Sequence, residues 1–496
     1  MFNLRKELLY NFIFTIAANV IIFFQNKYFI QYIGVDILGV MKLFTQLLKY
    51  LNIVELGLGS ASAFALYKPL IEKDYEKISR IMSTLKSIYI KISIFIISIG
   101  ILLTPFLPIF IKLENFKVEI YFYWILYVIN TATTYLYIKY IVLFTANQEF
   151  IYTRFIQSIS KIIFQLLQII YIVKYQSFFI FIFLLIVDNL VQYLVFKNHY
   201  KKYYDYIFNT KKKYPNLSKD IKNLFWHKIG GLIVFNTDLI LISSLVSINL
   251  VGVYASYVMV FQILKTIINI LYSVLTPKIG KYIAQNNKEN IYKSFKELNI
   301  IFIFLGMILI FPTFKLINSF VELWIGKEFT LENWTIVLMC INYYIDLVRW
   351  ILEAYKTGSG FFDDIQSPIF EAIINLVFSI ILGIKYGLDG IIMGTIISNM
   401  LVIMIYKPIL VFKRCFDKGV KEYIKIYGNY LILLIISLVL LNILTKPFIR
   451  TDINTWIDWI VYATTVSVIT GGVLFIVFLL NKEFRNIIKI YVLKRR

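Results

Sequence analysis

The sequence predicts an all-α, polytopic membrane protein, and three observations carry that prediction. First, 59% of the 496 residues are hydrophobic and 16% are charged, against about 45–50% and about 25% in soluble domains. Second, the apolar residues recur in runs of about 20, the length that crosses about 30 Å of hydrocarbon. Third, lysine and arginine gather in alternate breaks between those runs, as they do when every second loop faces the cytoplasm.

Taken in order, the runs lie near 8–30, 37–66, 81–111, 119–145, 153–174, 178–197 and 224–248, then 252–275, 296–320, 332–356, 367–385, 388–411, 424–444 and 456–480. The first run is too long for a secretory signal and lacks a small-residue cleavage site, so it reads as a retained span. Fourteen spans put both termini on one side. The N-terminus and the breaks at 67–80, 146–154, 197–222, 277–296, 356–366 and 413–425, with the C-terminal tail, hold 32 Lys and Arg. The opposite breaks hold 7. Both termini are therefore expected in the cytoplasm. The net charge of +22 then reads as a basic face toward anionic lipid, with no need of nucleic acid.

The longest break, 197–223, is basic and follows the sixth span. It divides the chain into an N-terminal six-helix lobe (1–197), a linker (198–223), a second six-helix lobe (224–411) and two appended spans with a basic tail (412–496). The two lobes carry a weak internal repeat. Around Gly39 and Gly252, a Gly-Val pair read as a turn opens a helix with a polar residue on every third or fourth position. Each such helix ends near a proline, Pro69 or Pro277, followed by charge. Transporters built from two related halves place the site at their interface.

Several function classes are disfavoured. Cys340 and Cys415 make no disulfide framework and lack metal-ligand spacing. His199 and His227 form no cluster, no phosphate-cradling Gly-rich loop is present, and the external breaks are too short for a membrane-bound polymerase or ligase. No enzyme activity, metal or cofactor is indicated.

A lysine at a helix centre costs about 2.5–3.5 kcal/mol on insertion scales, so such residues seek water or partners. Asn11, Thr15, Asn19 and Asn26 share one helical face, as do Lys42, Gln46 and Lys49. So do Gln157, Lys161, Gln165 and Gln168, and Gln262, Lys265 and Asn269. Four polar stripes imply an interior cavity, and its charges are positive, which suits an anionic substrate. Lys27, Lys86, Lys139 and Lys315 read instead as side chains snorkelling to the interface. Asp346, Arg349 and Glu353, spaced 3 and 4, form either a self-neutralising cluster or a gate. Asp238 has no partner four residues away and is a proton or sodium candidate.

The segment ELGLGSASAFALYKPLIEKDYEKI (55–78) resembles the second-helix region of the Wzx-like polysaccharide flippases, in the multidrug/oligosaccharidyl-lipid/polysaccharide exporter superfamily. DLVRWILEAYKTGSGFFDDIQSPIFEAIINLVFSIILGIKYGLDGIIMGTIIS (346–398) resembles that family around spans ten to twelve, and LVGVYASYVMV (250–260) its connection between spans seven and eight. FFDDIQSP (361–368) departs from the family, whose members more often carry a Trp and a basic residue there.

The resemblance implies a V-shaped bundle of two six-helix lobes around a cavity that opens alternately to either side. It implies an undecaprenyl-pyrophosphate-linked oligosaccharide as substrate, flipped across a bacterial cytoplasmic membrane for O-antigen, capsule or exopolysaccharide synthesis. A polysaccharide polymerase and chain-length proteins are the implied partners, with a proton or sodium ion as the implied driver. The candidate substrate residues are then Lys42, Gln46, Lys49, Lys161, Gln165, Lys265, Asn269 and Arg349. Candidate coupling or gating residues are Glu55, Asp238, Asp346 and Glu353. Gly57, Gly59, Ser60, Ala61 and Ser62 would allow close helix approach, and Pro69 would end its helix. An ion-coupled small-molecule exporter or a peptidoglycan-precursor flippase of the same superfamily is the alternative.

Overall fold

The computed structural model describes residues 20–52, 58–112, 118–212, 214, 237–361, 364, 366–448 and 453–489. Every regular element among them is helical. Among the described residues, nine helical stretches are long and apolar enough to cross a membrane. The chain divides into two compact units, Met1–Ala255 and Ser256–Arg496.

The first unit contains α1 (20–32), α2 (Val35–Leu51), α3 (Leu58–Glu72), α4 (Tyr75–Leu103), α5 (Glu119–Thr134), α6 (Ile138–Ala146), α7 (Phe150–Tyr175), α8 (Phe178–Tyr203) and the short α9 (Asp238–Leu241). Local chemistry sets several ends. Asp74 caps α4 by accepting from the Lys77 amide at 2.9 Å, and Ser177 caps α8, each satisfying an otherwise orphaned donor. Gln176, in the left-handed conformation, stops α7.

Pro69 does not end its helix: α3 runs three residues further, to Glu72. The stop is Lys73, which adopts a positive φ of 56°. The second proline is also internal. α10 (Ile248–Gln285) passes through Pro277, and α11 (Lys288–Ile325) follows almost at once. The basic stretch 277–296 is thus mostly helix extending beyond the apolar spans.

Of the two glycines in the small-residue stretch, Gly57 lies outside the described residues and Gly59 is at no close approach. A methyl on Gly59 would meet only Val142 Cγ2, at an ordinary 4.0 Å. Gly100 packs its bare Cα against Val128, where a Cβ would lie 2.6 Å from both methyls, and its carbonyl accepts from buried Trp124 Nε1 at 2.8 Å. The two repeat glycines meet each other. A Cβ on Gly252 would fall 2.5 Å from the Val35 carbonyl oxygen and 3.2 Å from the Gly39 amide. Both Gly-Val pairs therefore lie inside helices, and neither forms a turn.

The second unit holds the rest of α10, then α11, α12 (Asn333–Gly358), α13 (366–386), α14 (388–416), α15 (Val420–Thr445), α16 (Trp456–Phe478) and α17 (Lys482–Ile488). α11 packs on α12, α16 and α17. α13 and α14 form one hairpin that reverses at Gly387, whose φ of 59° suits glycine. Its arms are pinned by Ser379 Oγ donating to the Ile391 carbonyl at 3.0 Å and Asn375 Nδ2 donating to Thr395 Oγ1 at 2.9 Å. The reversal falls between the two spans predicted at 367–385 and 388–411. α14 then runs beside α12, with Thr335 bonded to Asp389 at 2.6 Å and Asn399 to Asn342 at 2.7 Å.

Candidate functional site

The charged residues of α12 recur at 346, 349, 353 and 356, one helical face spread over about 15 Å of rise. Arg349 sits between two carboxylates: its Nε lies 3.0 Å from Asp346 and its Nη1 3.4 Å from Glu371 on α13. Glu353 binds Lys407 of α14 at 2.8 Å, and Lys407 also reaches Glu371 at 3.8 Å. Lys265 of α10 pairs with the other oxygen of Asp346. At the foot of the same face Lys356 binds Asp364 at 2.6 Å.

Lys265, Arg349 and Lys407 thus face Asp346, Glu353 and Glu371, three cations against three carboxylates. The side chains of Arg349, Lys407 and Glu371 are 10%, 9% and 3% exposed. Charges so far from water persist because each has a counter-charge at contact distance.

The structure brings Asp346, Arg349 and Glu353 together, as the face spacing on α12 implied, and joins Lys265 of α10 to them. It also adds Glu371 and Lys407, which the sequence reading passed over. Each is a charge in a different apolar span with no partner three or four residues away, so only the hairpin assembles them. Lys265 is a paired cation. Asn269, one turn further along α10, is exposed. Asp364, in the loop that departs from the family pattern, has a structural task. Burial raises its pKa, but Lys356 and Ser367 outweigh that and hold the carboxyl below its usual range, while its Oδ1 accepts from the Ser367 amide at the start of α13.

In the first unit, α2 presents half-buried Lys42, buried Gln46 and exposed Lys49. Neither lysine makes an ion pair among the described residues, and Glu55 lies outside those residues. Asp238, at the start of α9, packs against α2 and acts electrostatically on Tyr50. On α7, Lys161 is exposed and lies within electrostatic reach of Asp188 on α8. Asp188, also missed, accepts from Ser160 Oγ and from Gln192 Nε2 at 3.0 Å. Gln165 is buried.

The α7 stripe is partly a helix contact. Gln168 accepts from Gln25 Nε2 of α1 at 2.6 Å and donates to the Phe181 carbonyl at 3.0 Å. Asn26 of the first stripe is buried; Asn11, Thr15 and Asn19 lie outside the described residues. No group of His, Cys, Asp and Glu able to hold a metal occurs among the described residues.

No family model matches the sequence, and no curated protein does. Solved structures do. The lipid II flippase MurJ, in an inward closed conformation, aligns over 93% of this chain and 98% of its own, with TM-score 0.61 and 16% identity. A multidrug-resistance MATE-family transporter of the MOP superfamily, inward-facing, covers 79% and 94% with TM-score 0.63 and 15% identity. A MATE structure in a bent conformation covers 82% and 95% with TM-score 0.52 and 14% identity. The chain is an all-helical, multi-pass membrane protein with the fold that these transporters share.

Proposed function

We propose that this protein is a flippase that carries a lipid-linked oligosaccharide, on a polyprenyl pyrophosphate carrier, from the inner to the outer leaflet of a bacterial cytoplasmic membrane. The observation that carries the reading is a pair of lysines, Lys42 and Lys49, on one face of α2 with no carboxylate partner among the described residues. They stand in a fold shared with a lipid II flippase along more than nine tenths of both chains. Unpaired cations in a membrane protein suit an anionic headgroup and oppose a cationic drug.

Sugars and pyrophosphate cannot cross hydrocarbon unaided. In this mechanism they enter a cavity while the polyprenyl tail stays in lipid, and Lys42, Lys49 and Lys161 replace part of the anion's lost hydration. Asp188 tempers Lys161, so the α2 pair is the stronger anion holder. A dianion moving outward across an inside-negative 100 mV gains about 4.6 kcal/mol, from about 2.3 kcal/mol per charge. Proton or sodium exchange at Asp238 or Asp346 would add to that drive.

The test is flipping in proteoliposomes, reading exposure of a labelled polyprenyl-pyrophosphate oligosaccharide to an external enzyme. Wild type should expose it, and Lys42→Ala/Lys49→Ala should abolish exposure while still inserting and folding. Normal flipping in that variant removes the cationic site. No exposure with several glycans by folded wild type transfers the reading to an ion-coupled small-molecule exporter.

A further inference from the structure

Three lysines of the first unit take no part in the site above. Lys139 stands on α6, and Lys86 and Lys197 come from α4 and α8, two helices that pack on α6. A cavity of about 300 Å³ is lined by Lys86, Lys139 and Tyr193 together with Ile90, Ile94 and Leu136, and Lys197 stands beside Tyr193. The charged neighbours that act on Lys139 are Lys86 and Lys197, both of its own sign. None of the three makes an ion pair among the described residues. Lys139 Nζ sits 4.7 Å from the ring centre of Tyr140, and Lys197 Nζ 5.3 Å from that of Tyr193. Those rings are themselves neighbours, 6.3 Å apart. The faces of the two rings offset part of the charge, but a ring is not a counter-ion.

We propose that this groove binds the phosphate headgroup of an anionic lipid from the cytoplasmic leaflet, with its acyl chains along Ile90, Ile94 and Leu136. Two features select a lipid over free phosphate. The aliphatic side is open, with Ile90, Ile94 and Leu136 exposed by 49%, 58% and 39%, an apolar border that a small hydrated anion would leave wet. Lys197 also lies toward the end of α8 that the Lys and Arg bias assigns to the cytoplasm, where Lys201 and Lys202 close the helix, and Lys86 lies in the first half of α4, whose start lies within the basic break 67–80. Basic pockets between membrane helices on that side take anionic headgroups. Snorkelling explains one lysine at an interface. It does not explain two lysines from separate helices lining one cavity, with a third beside its wall residue Tyr193 and no carboxylate paired with any of them among the described residues.

Native mass spectrometry of the full chain, equilibrated with phosphatidylglycerol or phosphatidylcholine, tests the site independently of transport. Wild type should retain phosphatidylglycerol in preference to phosphatidylcholine. At about 1 kcal/mol per lysine, Lys86→Gln/Lys139→Gln/Lys197→Gln should weaken that retention about a hundredfold and Lys139→Gln alone roughly fivefold. The triple arginine variant should keep it. Equal retention of both lipids by wild type overturns the proposal whether or not the variants fold. So does unchanged phosphatidylglycerol retention in a folded glutamine variant. Displacement of the lipid by millimolar inorganic phosphate would make this a free-anion site and overturn it as well.

Discussion

Replacing Glu371 by Gln should destabilise the second unit sharply, and the geometry sets the size. Glu371 is 3.4 Å from Arg349 and 3.8 Å from Lys407, and its side chain is 3% exposed. At an effective dielectric of 20 these separations correspond to gross attractions of about 5 and about 4 kcal/mol. Desolvation cancels much of that in the intact network. Removing one partner strands the others, and breaking a buried pair in this way costs about 3–5 kcal/mol. Glu371→Gln leaves three cations against two carboxylates. Glu371→Gln/Lys407→Gln restores two against two, and Glu353 keeps the nearby charges of Lys356 and Arg349. The assay is unfolding of the purified protein in mixed micelles with graded denaturing detergent. The single variant should lose about 3–5 kcal/mol, and the double variant should recover roughly half of it. A single variant as stable as wild type, or a double variant less stable than either single one, refutes the idea that charge balance holds α12, α13 and α14 together.

Three further predictions follow from separate contacts. Gly252→Ala should cost about 1–3 kcal/mol through overpacking, because the new methyl meets the Val35 carbonyl oxygen at 2.5 Å and backbone cannot step aside; Gly59→Ala, with only Val142 at 4.0 Å, should change stability by about 0.5 kcal/mol or less. Equal effects in the same unfolding assay would contradict this assignment of close packing. Glu149, in the loop before α7, accepts from Tyr204, from Asn147 Nδ2 at 2.9 Å and pairs with His199 Nε2 at 2.7 Å. Burial alone would raise its pKa, but these partners outweigh it and hold the carboxyl below its ordinary value. Its contribution is therefore full above the unfolded carboxylate pKa of about 4.3 and is lost as pH falls through the lower folded value. Melting curves from pH 7 to pH 3 should show that acid loss in wild type and a shallower one in Glu149→Gln; parallel curves would exclude Glu149 as a source. Finally, Asp364→Asn should loosen the start of α13 by removing the counter-charge of Lys356, seen as faster amide exchange at 366–370, while Ser367→Ala should have a smaller effect because the ion pair remains.

Much of this molecule is legible in the sequence because the bilayer imposes a one-dimensional rule. A backbone in hydrocarbon must satisfy its hydrogen bonds within its own segment, so run length and composition alone identify helices. The runs from 81 onward correspond to described helices, apart from 224–248, whose first half lies outside the described residues, and even the tight reversal at Gly387 falls in the two-residue gap between two predicted spans. Helix-face spacing likewise identified Asp346, Arg349 and Glu353 as one set. The prolines were misleading for a local reason. Proline breaks a helix through one missing donor and one clash, and α3 and α10 absorb both within longer helices.

What the sequence by itself determined was therefore the class of fold, its apolar elements and the polar faces they carry. Tertiary structure alone decided which charges meet. Lys265, Glu371 and Lys407 are 81, 25 and 61 positions from Asp346, and nothing in their spacing reveals that Asp346, Arg349 and Glu353 complete a balanced network with them. The Gly39 and Gly252 motifs were visible as a repeat, but their mutual contact was not. Nor was the gathering of Lys86 and Lys139, which read alone as ordinary interfacial lysines, with Lys197 from the basic break after the sixth span. The reason is physical: helix formation depends on neighbours within a turn or two, whereas the fate of a buried charge depends on a counter-charge delivered by another helix at contact distance.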